Sequence, residues 1–458
     1  MAGIGFELRR LSRSDSYLGQ LRAYFYAGIV GSGPWVLSIL AILVLGFMSL
    51  GVVVPPSLIS QFQTSVTWLI AISLIYSGGI QLAYTRYVAD RLYEHRTGEV
   101  LPNLFGIIIT STLPLFVLSI PAAIYLLPGT SPAYRLLMIV GLSQLNIVWI
   151  MTVLLSGLKR YKWLLLLYFL GYGGAVAMGL GLGRAGLGLE GLLLAFVLGQ
   201  TMISIGSLAL VWREYPPDRL IGFDFFRRGR MQFWLLPAGF LFNAGIWADK
   251  FLFWLWPGTG EIVIGNLHAS IIYDIPVFLA YFAIIPGMAV FLLRMEVDFV
   301  LAYDRYYEAV RAGGALSSIR HYREQMVITA REGIYDILKT QGFTLLALMV
   351  LGPRMLALLG ISTLYFPLLV IDAVGVSLQL LVMAGLNILF YLDRLRTAAA
   401  MAAIMFLGNV AFTLISLRLG PLYYGYGFVI GMLLAAMVIL VLVDRILDRL
   451  NYTTFMLR

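Results

Sequence analysis

The sequence predicts an all-α integral membrane protein of about 12 transmembrane helices in two six-helix lobes. Three observations carry that prediction. First, 60% of the 458 residues are hydrophobic and 12% are charged, with a mean hydropathy of +0.90. A soluble chain of this length exposes far more charge. Second, twelve apolar stretches are each long enough to cross the hydrocarbon core, which takes about 20 helical residues. Third, 27 of the 32 Lys and Arg residues fall in every second gap between those stretches. The positive-inside rule makes that set of gaps cytoplasmic, and both termini belong to it.

Residues 1–22 read as a cytoplasmic amphipathic lead-in carrying Arg9, Arg10, Arg13 and Arg22. The apolar stretch that follows is too long for a signal-peptide core and lacks a small-residue cleavage site. The N-terminal lobe, 23–212, holds spans near 23–50, 63–88, 103–127, 134–156, 164–183 and 190–212. A cytoplasmic inter-lobe linker, 213–231, contains Pro216, Pro217, Asp218 and the run Arg227-Arg228-Gly229-Arg230. The C-terminal lobe, 232–444, holds spans near 232–254, 268–293, 340–360, 364–390, 398–418 and 425–444. Residues 445–458 form a cytoplasmic tail. No strong internal repeat accompanies the two lobes, which rest on span counting. Gly31-Ser32-Gly33-Pro34 in the first span and Pro237 with Gly239 in the seventh occupy corresponding places. Gly and Pro there suit the hinges of an alternating-access carrier, although Gly is common in membrane helices.

The segment 294–339 is too long and too patterned for a simple loop. Tyr303, Tyr306, Tyr307 and Val310 recur at helical spacing, Gly313-Gly314 breaks the pattern, and Ser317 or Ser318 can cap a second helix. That helix carries Tyr322, Met326, Ala330 and Ile334 at spacing of four. The expectation is a cytoplasmic helical hairpin. Seven basic and seven acidic residues balance between Arg294 and Lys339. The hairpin is either a solvated extension of two membrane helices or a docking surface, with Tyr303, Tyr306, Tyr307, Tyr322 and Arg323 as candidate partner contacts.

Charges inside spans are costly and usually mark a pathway or a partner. The second lobe holds Asp249, Lys250, Asp274 and Asp372, all expected in the outer half of the bilayer as an acid-rich vestibule. Lys250 reads either as a structural ion pair with Asp249 or Asp274, or as snorkelling to the outer interface, or as part of an ion-coupling or substrate site. Arg86 is an inner-face topology charge or a substrate or gate residue. Trp163, Trp212, Trp234, Trp254 and Trp256 fall at span ends, as an interfacial belt does. Trp35, Trp149 and Trp247 lie deeper, where a sugar ring can stack, with Gln144, Asn146 and Asn243 available to its hydroxyls; helix packing explains the same residues.

The chain has no cysteine, and His95, His268 and His321 lack metal-ligand spacing. No HExxH, suitable GxSxG or Walker A motif is present. The glycines near 171–174 and 181–183 suit close helix packing rather than phosphate binding. No catalytic residue, cofactor or metal site is expected. The net charge of +9 follows from the topology signal and from contact with anionic lipids rather than from nucleic acid.

Twelve spans in two lobes with both ends inside resemble the MOP flippase superfamily of polysaccharide and lipid-linked oligosaccharide exporters and multidrug carriers. Ala248-Asp249-Lys250-Phe251-Leu252 and Thr85-Arg86-Tyr87-Val88-Ala89 are similar to features of its polysaccharide members. Residues 1–11, MAGIGFELRRL, followed by Tyr26-Ala27-Gly28-Ile29 and Ser32-Gly33-Pro34-Trp35-Val36-Leu37-Ser38, resemble the transport subunits of Pel exopolysaccharide synthesis. That resemblance implies export of an N-acetylgalactosamine-rich polymer across the bacterial inner membrane. It also implies a complex with a cytoplasmic glycosyltransferase (PelF), a cyclic-di-GMP receptor (PelD) and a scaffold subunit (PelE). A proton- or sodium-coupled flippase of a lipid-linked oligosaccharide is the alternative. The first lobe lacks the membrane carboxylates that form the cation site of drug carriers in the superfamily.

Overall fold

The computed structural model describes residues 55–157, 161–227 and 229–456, with isolated positions between 24 and 48. The expected lead-in, most of the first span, its Gly-Pro break and Trp35 lie outside the described residues. Among those described, nine helices are long and apolar enough to cross a membrane, or ten with one bent pair. The protein is therefore a multi-pass, almost wholly helical membrane protein. The chain divides into two compact units. One is Pro34–Trp247 with Phe253–Ser270; the other is built mainly from Ala248–Leu252 and Ile271–Arg458.

The first unit contains α1 (Ser57–Tyr93), α2 (Val100–Leu126), α3 (Pro132–Gly157), α4 (Tyr161–Arg184), α5 (Gly188–Glu214) and most of α6 (Leu235–Leu255). Small residues set how closely these helices pack, because lipid offers apolar side chains no advantage in meeting each other. On α4 and α5, a Cβ at Gly171 would lie 2.9 Å from the Gly199 carbonyl, and one at Gly199 would lie 2.6 Å from the Gly171 carbonyl. On α1 and α6, a Cβ at Gly79 would overlap the Leu236 backbone, and one at Gly239 the Gly78 backbone.

A small antiparallel hairpin, β1 (Glu261–Ile264) and β2 (Leu267–Ala269), precedes the eighth span. The expected span start at 268 is thereby corrected to Ile271. Gly265 turns the hairpin at φ +58°, a conformation that suits glycine. Asn266 then donates its backbone N–H to the Leu126 carbonyl (2.7 Å) and its side-chain amide to the Tyr125 carbonyl (3.0 Å). These bonds satisfy carbonyls at the end of α2 that have no partner within the helix.

The second unit contains α7 (Ile271–Phe282) and α8 (Ile285–Leu293), bent by 40° at the break between them. A π-helical turn, Arg294–Phe299, leads into α9 (Val300–Arg311). The chain reverses at Gly313, φ +65°, and returns as α10 (Leu316–Leu358), a single 43-residue helix. At 1.5 Å per residue α10 is roughly 65 Å long, about twice the hydrocarbon thickness. Its cap is Ala315, with no side-chain bond, rather than Ser317 or Ser318, which lie in the first turn. α11 (Phe366–Tyr391), α12 (Leu395–Leu419), α13 (Tyr426–Asp448) and the short α14 (Leu450–Met456) complete the unit.

Candidate functional site

Asp249 and Lys250 are adjacent on α6, in the five-residue stretch that belongs to the second unit, and both are essentially fully buried. A buried carboxylate persists only when its lone pairs are met. Lys250 Nζ lies 3.0 Å from Asp249 Oδ2. Tyr273 on α7 donates to the same oxygen at 2.7 Å, and Asn409 on α12 donates to Oδ1 at 3.0 Å. Asn409 is itself oriented by Thr413, whose hydroxyl donates to Asn409 Oδ1 at 2.9 Å. The ammonium of Lys250 also donates to Tyr281 Oη at 3.4 Å and lies 5.0 and 5.2 Å from the Tyr281 and Phe428 ring centres. Cation–π attraction is strongest in such desolvated settings. The Tyr281 hydroxyl donates in turn to Gln379 Oε1 at 2.9 Å.

Asp372 on α11 completes the cluster. It is fully buried and within electrostatic reach of Asp249 and Lys250, yet neither of its oxygens has a hydrogen-bond donor among the described residues. The turn before α13 comes close to it, and a Cβ at Gly425 would lie 2.9 Å from Asp372 Oδ1. Asp249, Lys250 and Asp372 are thus brought together, while Asp274 is only half-buried, one position after Tyr273. The acid-rich vestibule expected here is instead a closed cluster packed between helices. The sequence alone does not single out Tyr273, Tyr281, Gln379, Asn409 and Thr413. Gln379 lies two helical turns beyond Asp372 on α11. Asn409 is an amide inside an apolar span, and that position is the signal that points to it.

The other candidates have local partners. Asn243 donates to the Gly239 carbonyl at 2.9 Å, and Trp247 lies against Trp254 at 6.2 Å. Gln144 donates to Ser204 Oγ at 2.7 Å, and the fully buried Asn146 donates to Ser111 and Thr112. Trp149 donates to Ser73 Oγ at 2.9 Å. Arg86 pairs with Asp90 one turn along α1 at 3.2 Å. Trp163, Trp212 and Trp234 are exposed, as belt residues are, but Trp254 is fully buried and stacked on Trp68 at 5.1 Å. Its large ring fills the first unit's interior rather than an interface.

At the hairpin, much of the aromatic face turns inward. Tyr306 is fully buried and donates to Asn451 Oδ1 on α14 at 3.1 Å. Tyr303 packs on Tyr307 (4.5 Å) and on Tyr391 at the end of α11 (5.6 Å). Arg323 donates to the Asp448 carbonyl at 3.1 Å, Arg331 pairs with Asp444 at 2.6 Å, and Tyr322 is half-buried beside His321. Within the π turn the buried Glu296 accepts from Asn387 (2.7 Å) and Tyr391 (2.8 Å). Arg294 pairs with Asp336 at 2.7 Å, which ties the base of one arm to the other.

Long apolar helices with a charged cluster sealed among them describe a multi-pass membrane protein, and solved structures are similar to it in fold. The chain is similar to an outward-facing multidrug resistance MATE family transporter of the MOP superfamily, with 14% identity, 99% of each chain covered and a TM-score of 0.66. A MOP superfamily transporter from Pyrococcus furiosus, whose binding pocket is described as having reverse polarity, matches with 15% identity over 98% of this chain and 99% of that one, at a TM-score of 0.66. MATE in its straight conformation matches with 14% identity over 98% of each chain, at a TM-score of 0.64. The fold is that of MOP-superfamily transporters. Residues 1–455 match the model of the PelG family, described as "Putative exopolysaccharide Exporter (EPS-E)", and the chain belongs to that family. No curated protein sequence matches it.

Proposed function

We propose that this transporter carries a Pel-type, N-acetylgalactosamine-rich exopolysaccharide across the bacterial inner membrane while a cytoplasmic glycosyltransferase elongates it. The family match over residues 1–455 carries this reading. The N-terminus, the C-terminus and the 294–339 hairpin face the cytoplasm, in keeping with the distribution of Lys and Arg. The hairpin docks the glycosyltransferase (PelF), and the cyclic-di-GMP receptor and scaffold subunits (PelD, PelE) complete the complex that serves the biofilm polymer. Docking draws on the hairpin's accessible residues, including half-buried Tyr322 and Arg323, because Tyr306 is occupied internally. The test is co-reconstitution of the chain with the glycosyltransferase and sugar nucleotide in vesicles, with and without an ion gradient. Translocated polymer that needs the synthase and survives collapse of the gradient is the expected result. Transport of a preformed lipid-linked oligosaccharide without the synthase would reject it.

One observation favours a second reading, a proton- or sodium-coupled flippase. Asp372 is a buried carboxylate without a hydrogen-bond donor among the described residues, and such a group requires a proton or a cation. On this reading Asp372→Asn abolishes gradient-dependent transport while leaving thermal stability unchanged or higher. Parental transport by that variant would remove Asp372 from the coupling.

A further inference from the structure

The segment between α5 and α6 does not behave as a free linker. It is pinned to the junction of α1 and α2 by a set of buried polar contacts. Gly222 donates its N–H to the Pro102 carbonyl at 2.9 Å, and the Asp224 N–H donates to Asn103 Oδ1 at 2.8 Å. Asn103 returns a bond to the Asp224 carboxylate at 3.1 Å, which Arg219 and Arg227 also pair. Arg230 reaches Glu99 at 3.3 Å, and Phe225 is fully buried against Tyr87.

That fixed backbone holds four large apolar side chains outward. Leu220 is 68% exposed, Phe226 59%, Ile221 48% and Phe223 47%. Four such groups held out together leave much of their apolar surface unburied, which is unfavourable in water. The depth of the segment explains them. Trp212 at the end of α5 and Phe233-Trp234 before α6 are exposed aromatics of the kind found at the headgroup level. The first turns of α2 tie Trp212 to the segment. Phe105 packs edge-on to Trp212 at 6.4 Å, while Pro102 and Asn103 just before it hold Gly222 and Asp224. The segment therefore sits at the same height as Trp212. It also presents exposed guanidinium groups on Arg213, Arg219 and Arg227.

We propose that residues 213–234 are an interfacial anchor. Leu220, Ile221, Phe223 and Phe226 enter the bilayer surface, and the guanidiniums of Arg213, Arg219 and Arg227 take the phosphates of anionic lipids. Guanidinium forks match phosphate oxygens two at a time, and juxtamembrane basic residues are drawn to anionic leaflets. The proposal is independent of the cargo and of the docking partner.

The absence of cysteine gives a clean test. Leu220→Cys and Phe223→Cys, each labelled with an environment-sensitive fluorophore, are placed in phosphatidylcholine nanodiscs with and without phosphatidylglycerol. Aqueous iodide is expected to quench both labels at least about threefold less than free labelled cysteine, and a headgroup-attached nitroxide lipid to quench them strongly. Phosphatidylglycerol is expected to strengthen the nitroxide quenching. Iodide quenching equal to that of the free label would overturn the anchor and favour a water-facing surface for a protein partner. Strong nitroxide quenching that ignores phosphatidylglycerol would overturn the anionic-lipid contact.

Discussion

Lys250 and Asp249 leave water together, and each makes the other's burial tolerable. Removing one member of a buried, hydrogen-bonded pair strands the other charge and typically destabilises by about 3–5 kcal/mol. Replacing both with neutral groups is far milder. Lys250→Met should therefore lower the thermal stability of the purified protein sharply, because Asp249 then remains buried without its cation. Asp249→Asn/Lys250→Met should recover most of the loss, since the neutral amide introduced on α6 can accept from Asn409 through its oxygen and donate to the Tyr273 hydroxyl. Thermal unfolding of the two variants checks this. A double variant as unstable as the single one would show that the pair is not the cause. This chemistry was half legible in the sequence. In-span charges announce themselves by their solvation cost, so Asp249, Lys250 and Asp372 stand out. Tyr273, Tyr281 and Gln379 do not, because tyrosine and glutamine are ordinary in membrane helices until packing shows what they meet.

At the scale of elements, the spans were legible because lipid demands about 20 apolar residues whatever the packing. The pieces outside the hydrocarbon were less so. The 261–269 strand pair is stabilised by contacts 140 to 200 residues away in sequence, at Tyr125, Leu126 and Trp68, which no local pattern records. The 294–339 hairpin was visible through its spacing, but the side its tyrosines face was not. Tyr306 turns inward because α14 supplies acceptors for its hydroxyl. Deleting residues 300–330 should abolish co-purification with the glycosyltransferase while the membrane helices still insert. Undiminished co-purification would reject the docking role.

At the scale of the whole molecule, the proposed orientation rests on charge. The short connection between α2 and α3 carries no Lys or Arg from Pro128 to Ala133, whereas the hairpin turn lies among Arg305, Arg311 and Arg320. A membrane-impermeant maleimide should label Thr130→Cys in intact spheroplasts and should label Ala312→Cys only after permeabilisation. The reverse pattern would invert the topology. Span counting predicts two lobes, but not that α6 is shared between the two units. Residues 248–252 group with the later helices because the Asp249 ligands lie there, while the glycine face of α6 packs on α1.

The π turn between α8 and α9 works as an angular spacer. One residue more or less in a helix rotates everything beyond it by about 100° and shifts it by 1.5 Å. The turn therefore sets the azimuth at which α9 offers Tyr303 to Tyr391 and Tyr306 to α14. Deleting Val297 should restore an ordinary α-helix there and swing those rings out of register. Amide exchange within Leu450–Met456 should then speed up, whereas unchanged protection would show that α9 has no fixed angular setting. A single peptide unit thus acts as a vernier on the aim of α9, the short arm of the hairpin.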